Sequence, residues 1–172
     1  MPINILSADI FPRGDNVVLG VFRVCSTKAH AVTDPREFEL VEQTLRRALE
    51  DENFDFLPLI EKAKRQSHHR LAPGIEFPTR IAVDNKTHPI YTLIEIQAPD
   101  RLGLLYDILT CLDRESVSIA LSRINTQDGA AIDTLYVVDR STSAKITDSQ
   151  RITAIQQHLQ SAILGGGAAK SK

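Results

Sequence analysis

The sequence has no excess of basic charge. Its 20 lysines and arginines are outnumbered by 22 aspartates and glutamates, which gives a formal net charge of −2. Proteins that bind nucleic acids typically concentrate lysine and arginine on one surface, whereas here these residues are scattered along the chain. The composition therefore predicts no nucleic-acid partner.

The sequence also lacks long hydrophobic runs, and none approaches the roughly 20 apolar residues of a membrane-spanning helix. The N-terminal segment MPINILSADIF does not place a basic stretch before an apolar one, as a secretory signal does. A content of 42% hydrophobic and 24% charged residues is ordinary for a globular protein. These features predict no membrane partner and a cytoplasmic location.

Cysteine is scarce, with only Cys25 and Cys111 in the chain. Two isolated cysteines are most simply interpreted as small core residues, and a disulfide or a catalytic thiol is the less favoured alternative. The adjacent residues His68 and His69 would not face one point from a helix, which favours a solvated helix end over a metal site. We therefore expect no metal and no cofactor.

The stretch YTLIEIQAPDRLGLL, residues 91–105, predicts a buried strand, a tight corner and the start of a helix. Asp100 is a candidate N-cap, because its carboxylate can accept hydrogen bonds from free N–H groups of the first turn. Gly103 has no Cβ, so that a neighbouring strand or a ligand can approach its backbone closely. Two interpretations follow: a well-capped helix packed on a sheet, or a ligand site.

The rest of the chain predicts further strands and helices. Residues 3–11 and 17–25 indicate a hairpin, and Asp34-Pro35 indicates the start of a helix. The remaining segments are a helical connector at 54–70, a linker at 71–74, strands at 75–84, 118–126 and 130–139, a helix after Asp148 and a disordered tail from 165. We expect strand 75–84 to fill the fourth-strand place of one unit, since no strand follows the last helix.

A shift of 114 residues superimposes the two hairpins without a gap, and Thr33-Asp34 then falls on Thr147-Asp148. We interpret the agreement of strands, turn, cap and helix as a duplication. The first unit's counterpart of Asp100 would lie before Met1, so that unit is expected to lack its leading strand and helix. Such a half-unit exposes a sheet edge, which predicts either a piece of a longer protein or pairing with another chain.

The order β-α-β-β-α with DRLGLL at its first corner resembles the ACT domain family, small ferredoxin-like modules that bind amino acids. That family usually has Asp-Arg-Pro-Gly at this corner, followed by leucines. The matching residues are Asp100, Arg101, Gly103, Leu104 and Leu105, and Leu102 replaces the proline. The resemblance implies an α+β fold made of ferredoxin-like ACT modules of the βαββαβ type, one truncated and one near-complete, in tandem.

Residues 77–108 resemble the join into the last ACT domain of bacterial PII-protein uridylyltransferase/uridylyl-removing enzymes, and the likeness extends over residues 3–164. It implies a truncated first ACT unit at 1–52, a helical connector at 53–74, a second ACT domain at 75–164 and a disordered tail at 165–172. It also implies a glutamine-sensing region of a nitrogen-signalling enzyme. The nucleotidyl-transfer motif and the His-Asp cluster of such enzymes are not in the 172 residues, so we expect no catalysis by this chain.

In the ligand interpretation, Asp100 attracts the ammonium group of an amino acid, and the N–H groups of residues 102–104 meet its carboxylate at the helix N-terminus. Polar contacts would come from the strand of a neighbouring module. The ligand-binding residues expected on this basis are Asp100, Arg101, Leu102, Gly103, Leu104, Ser122 and Asn125. For Arg101, an exposed surface charge is favoured over an ion pair.

Two rival functions remain open. Because ACT units pair edge to edge, the chain could be a ligand-independent dimerisation or docking module. An enzyme in its own right is the third alternative, and we expect no such activity. The predicted partners are an amino acid, with glutamine implied by the resemblance, and further ACT units, in a homo-oligomer or with attached catalytic domains.

Overall fold

A computed structural model of the chain describes residues 3–12, 17–26, 30–66 and 77–165. The strands are β1 Ile3–Pro12, β2 Val18–Ser26, β3 Arg80–Asp84, β4 Thr92–Pro99, β5 Val117–Gln127 and β6 Ala130–Asp139. The helices are α1 Pro35–Glu50, α2 Leu57–Gln66, α3 Leu104–Arg114 and α4 Ser149–Gly165. The predicted linker at 71–74, the histidine pair and the tail beyond Gly165 lie outside the described residues. No helix within the described ranges is long and apolar enough to cross a membrane.

The six strands form one antiparallel sheet in the order β2-β1-β5-β6-β4-β3. Four of them, β5, β6, β4 and β3, carry α3 and α4 on one face. At the outer edge β3 pairs with β4, with Val83 opposite Ile94. This is the fourth-strand place beside the first strand of the unit, so the predicted place is confirmed. The strand begins later than predicted, at Arg80, because residues 77–79 are described and are not part of it.

The core lies between this four-stranded part and the two helices. Its largest fully buried side chains include Ile94, Ile96, Ile108, Leu112, Leu135, Ile155 and Leu159. The helical members of each helix are four residues apart, which keeps them on one helix face. Cys25 and Cys111 are both buried and free, as predicted for small core residues. Burial also raises the pKa of the Cys111 thiol, which disfavours a reactive thiolate.

The hairpin of β1 and β2 and the helix α1 bury much less. Asp34 caps α1 as predicted, accepting a hydrogen bond from the Arg36 backbone N–H at 3.0 Å. No residue of α1 is buried, however. The large apolar side chains exposed here include Leu6, Phe11, Val18, Leu19, Val21, Phe22, Phe38, Leu40, Leu45 and Leu49. This part of the chain therefore presents apolar surface that the described residues do not cover.

The hairpin joins the rest of the sheet through an antiparallel pairing of β1 with β5. Asp9 lies opposite Arg123, and a carboxylate oxygen of Asp9 is 3.7 Å from the Arg123 Nε. The same two positions are counterparts under the 114-residue shift of the sequence. A residue that pairs with its own counterpart is what two units related by a two-fold axis would give.

Candidate functional site

The corner between β4 and α3 is built differently from the sequence prediction. Strand β4 ends at Pro99, and α3 begins at Leu104 with Gly103 as its N-cap and no capping side chain. The prediction that Asp100 caps this helix is therefore wrong. Asp100 lies three residues before the N-cap, where its backbone N–H donates to the Gly129 carbonyl at 2.8 Å.

Gly103 has a conformational role as well as the predicted steric one. Its φ is +84°, in the left-handed region that residues with a Cβ rarely adopt. A Cβ at this position would lie 3.2 Å from Ile60 Cγ2 and 3.7 Å from Lys64 Nζ. A neighbouring element therefore does approach the Gly103 backbone closely, and that element is helix α2.

The backbone donors at the start of α3 are partly used by the corner itself. The Leu104 N–H donates to the Arg101 carbonyl at 3.1 Å, and the Asp107 N–H donates to the Gly103 carbonyl at 3.0 Å. We expected the Leu104 N–H to be free for a ligand carboxylate, and this expectation is wrong. Within the described part of the chain, the N–H groups of Leu102 and Gly103 donate to no backbone carbonyl and remain candidates.

Arg101 is not a surface charge, so that interpretation is wrong and the ion-pair alternative holds. Its side chain is only 17% exposed, and one guanidinium nitrogen lies 2.6 Å from the Asp107 carboxylate. The same nitrogen donates to the carbonyls of Ala162 at 3.3 Å and Ile163 at 3.1 Å. A cation suits the C-terminal end of a helix, so Arg101 connects the corner to the end of α4 instead of facing solvent.

Strand β5 carries both of the predicted polar contacts, but on opposite faces. Ser122 is buried on the helix-facing side together with Ile124, whereas Asn125 is exposed on the other side. Side chains alternate between the two faces of a strand, and the spacing of these two residues is odd. The structure therefore does not bring Ser122 and Asn125 together around one ligand.

A buried acid that the sequence analysis did not assign to the site lies on β6. Asp133 is 2% exposed, and its Oδ1 is buried and has no hydrogen-bond partner among the described residues. Burial raises the pKa of Asp133 to about 6; the Asn125 backbone N–H opposes this effect, and the Asp100 carboxylate adds to it. One signal was available, because Asp133 is in phase with the apolar residues Ala131, Leu135 and Val137 of its strand.

A groove of about 640 Å³ lies elsewhere, between α3 and α4 and beside α2. Its lining includes Leu57, Tyr106, Thr110, Cys111, Ser161 and the pair His158–Glu115, whose Nδ1 and Oε1 atoms are 2.6 Å apart. None of the predicted ligand-binding residues lines this groove. Nowhere in the described ranges do three metal-ligating side chains come together.

The model of the ACR9-like, ACT-like domain family matches residues 80–166. The bifunctional uridylyltransferase/uridylyl-removing enzyme of Rhodospirillum rubrum is 32% identical over 164 residues, which are 94% of this chain and 17% of that enzyme. Its namesake from Gluconobacter oxydans is 30% identical over 156 residues, or 91% of this chain and 16% of the enzyme. The Cereibacter sphaeroides enzyme is 29% identical over 172 residues, which are 95% of this chain and 17% of that enzyme. No solved structure matches the chain significantly.

The chain thus spans about one sixth of the length of these relatives. It corresponds to their ACT regulatory region and is non-catalytic on its own, as predicted. The predicted mixed α+β architecture is likewise confirmed by the antiparallel sheet with its helices. With more than half of its residues matched by the family model, the chain belongs to the ACT-like domain family.

Proposed function

We propose that this chain is the amino-acid-sensing ACT region of an enzyme of the uridylyltransferase/uridylyl-removing type, and that its ligand is glutamine. The observation that carries the proposal is the corner Asp100–Leu104. There a left-handed glycine, free N–H groups at a helix N-terminus and acidic side chains lie together. This set offers a donor for a carboxylate and acceptors for an ammonium group, which are the two charged groups of an amino acid.

The β1–β5 register supports two ACT units paired within one chain, a first unit in residues 1–52 and a second in 75–164, joined by a connector at 53–74. Under the 114-residue shift, Ser122 and Asn125 correspond to Ala8 and Phe11. In a two-fold pair, each corner is walled by the other unit's strand. The wall of the Asp100 corner is then β1, and Ser122 and Asn125 of β5 do not form it.

The connector helix gives the site a route to the rest of a larger protein. Ile60 and Lys64 of α2 lie directly on Gly103. An amino acid bound at this corner competes for the same space, so that binding favours an arrangement in which α2 is displaced. A ligand that binds one arrangement better than the other shifts the population towards it. The signal would therefore leave the site through the helix that joins the two units.

A ligand-independent dimerisation or docking module is the second candidate. It is favoured by the exposed apolar side chains of β2 and α1, because an uncovered apolar surface with an open strand edge is suited to pairing. Light scattering separates the two candidates. A dimer that is indifferent to glutamine supports the docking module, whereas a glutamine-dependent change of mass or shape supports sensing.

Isothermal titration calorimetry tests the proposed site. We expect L-glutamine to bind the full chain saturably, and Gly103→Val to weaken binding by about tenfold or more, a loss of about 1.4 kcal/mol or more. The reason is that valine disfavours a φ of +84° and fills the space through which a ligand reaches the backbone. Gly129→Ala is the matched control, because Gly129 has a φ of +82° but no atom within 4 Å of its Cβ position. Absence of glutamine binding, or equal affinity of Gly103→Val, contradicts the proposal.

A further inference from the structure

We propose that Asp133 is the buried anchor for the ammonium group of the amino acid bound at this corner, acting together with the carboxylate of Asp100. The inference rests on the proposed function and adds a residue of strand β6 to the site. The group that the two carboxylates bind is a primary ammonium group, which donates up to three hydrogen bonds.

The register places Asp133 near the end of the sheet that leads to Asp100. Asp133 lies opposite Ile96 on β4, and both residues are buried on the helix-facing side. Asp100 is the residue after β4, where its backbone N–H donates to the Gly129 carbonyl, and its carboxylate acts on the charge of Asp133. The two carboxylates therefore lie within electrostatic reach of each other where β4 leads into α3.

The sheet between the two acids carries only small side chains on this face. Ala98 and Ala131 lie opposite one another, between Asp133 and the Asp100 end of β4, and both are buried. On the far side of β5, Ala8 is also buried, opposite Ile124. Because alanine projects only a methyl group, Ala98 and Ala131 place no large side chain between the two acids.

The pairing of β5 with β6 is interrupted next to Asp133. Paired residues pass from Arg123–Thr134 directly to Thr126–Ala131, so that Asn125 and Asp133 fall in the gap. In this gap the Asn125 backbone N–H acts on the Asp133 carboxyl group. Even so, no group in the described part of the chain donates to Oδ1 of Asp133, which is costly for a buried carboxylate.

A cation would satisfy both acids at once. In the described residues, no ion pair involves Asp100 or Asp133. The groups that act on the charge of Asp133 are the Asp100 carboxylate, which repels it, and the Asn125 N–H. On α2, the Lys64 ammonium lies 3.7 Å from the position that a Cβ on Gly103 would take. With a pKa of about 6, Asp133 holds a proton in about half of the ligand-free molecules at pH 6, and an incoming ammonium group takes that proton's place.

Proton release on binding tests this inference. L-Glutamine is titrated into the full chain at pH 6 and pH 8 in pairs of buffers with different ionisation enthalpies. With an Asp133 pKa of about 6, binding at pH 6 is expected to release about half a proton per ligand, and close to none at pH 8. Asp133→Asn is expected to abolish the release and to weaken binding about tenfold or more. Asp128→Asn, at an exposed turn, should preserve both.

The stability of the ligand-free variant gives a check on folding. The folded-state pKa of Asp133 lies above its unfolded value, so its ionisation costs stability as the pH rises through about 6. Asp133→Asn removes that cost and should melt above the wild-type chain at pH 8. The proton count of the wild-type chain does not depend on the variant, and it decides the inference even if Asp133→Asn fails to fold.

The outcomes separate this inference from the proposed function. If glutamine binds without proton release at pH 6, Asp133 is not the anchor, while glutamine sensing stands. If a different amino acid binds with proton release and glutamine does not bind, the ammonium anchor stands and the glutamine proposal falls. If none of the twenty amino acids binds, both are overturned.

Discussion

Leu112→Ala is expected to lower the free energy of unfolding by about 3 kcal/mol, through lost apolar burial and the cavity left behind. Leu112 is 1% exposed and packs from α3 into the core under the sheet. The measurement is equilibrium denaturation in urea, followed by far-ultraviolet circular dichroism.

Leu109→Ala is the matched control on the same helix. Leu109 is 41% exposed, so its truncation should cost less than about 1 kcal/mol, since little apolar area is returned to water. Equal losses for the two variants would contradict the description of α3 as a helix with one buried face.

Arg101→Met is expected to cost about 2 kcal/mol or more, because methionine keeps an apolar stem but removes every donor. The Asp107 carboxylate and the carbonyls of Ala162 and Ile163 then lose their cationic partner in a largely buried setting. Hydrogen exchange should quicken at the C-terminal turn of α4, which this side chain holds against the corner. Denaturation and exchange measured on the same variant check both effects.

Arg123→Met provides the comparison for that result. The Arg123 side chain is 70% exposed and lies 3.7 Å from Asp9, and exposed ion pairs contribute about 0–1 kcal/mol. A small effect is therefore expected, with exchange in α4 unchanged. If Arg101→Met were as mild as Arg123→Met, Arg101 would be the surface charge that the sequence favoured.

The sequence predicts well those features that depend on local periodicity. The apolar spacing of Ile155, Leu159 and Ile163 indicates a helix with one buried face, and the structure has that face in α4. The cap at Asp34 is equally local, since its accepting carboxylate and the donating Arg36 N–H lie two residues apart. The place of β3 follows from counting the strands that a complete unit requires, so it too was within reach of the sequence.

The errors at the corner have a common physical cause. The failed cap at Asp100 depends on the left-handed Gly103, which moves the helix start by three residues. The burial of Arg101 depends on carbonyls about 60 positions away in α4. The burial of Asp133 and the missing partner of its Oδ1 depend on the elements that surround this carboxyl group. Each of these features is decided by contacts between elements, which periodicity does not encode.

For Ser122 and Asn125, the sequence identified the strand correctly but missed that the two side chains point to opposite faces. An odd spacing on a strand excludes a shared side, and this rule could have been applied from the sequence alone. In the proposed two-fold pair, the wall of the Asp100 corner comes from β1 and not from the strand that carries these two residues. Which unit supplies the wall of a site is a property of the pairing and not of one module.

The central claim is that an amino acid binds at the Asp100–Gly103 corner, and backbone amide NMR of the ¹⁵N-labelled chain titrated with L-glutamine tests it most directly. The account predicts saturable shifts that are largest for Asp100, Gly103 and Asp133. Further changes are expected at Ile60, because α2 loses its contact with Gly103 when the ligand binds. No saturable shift, or shifts confined to the groove around Cys111 and His158, would contradict it.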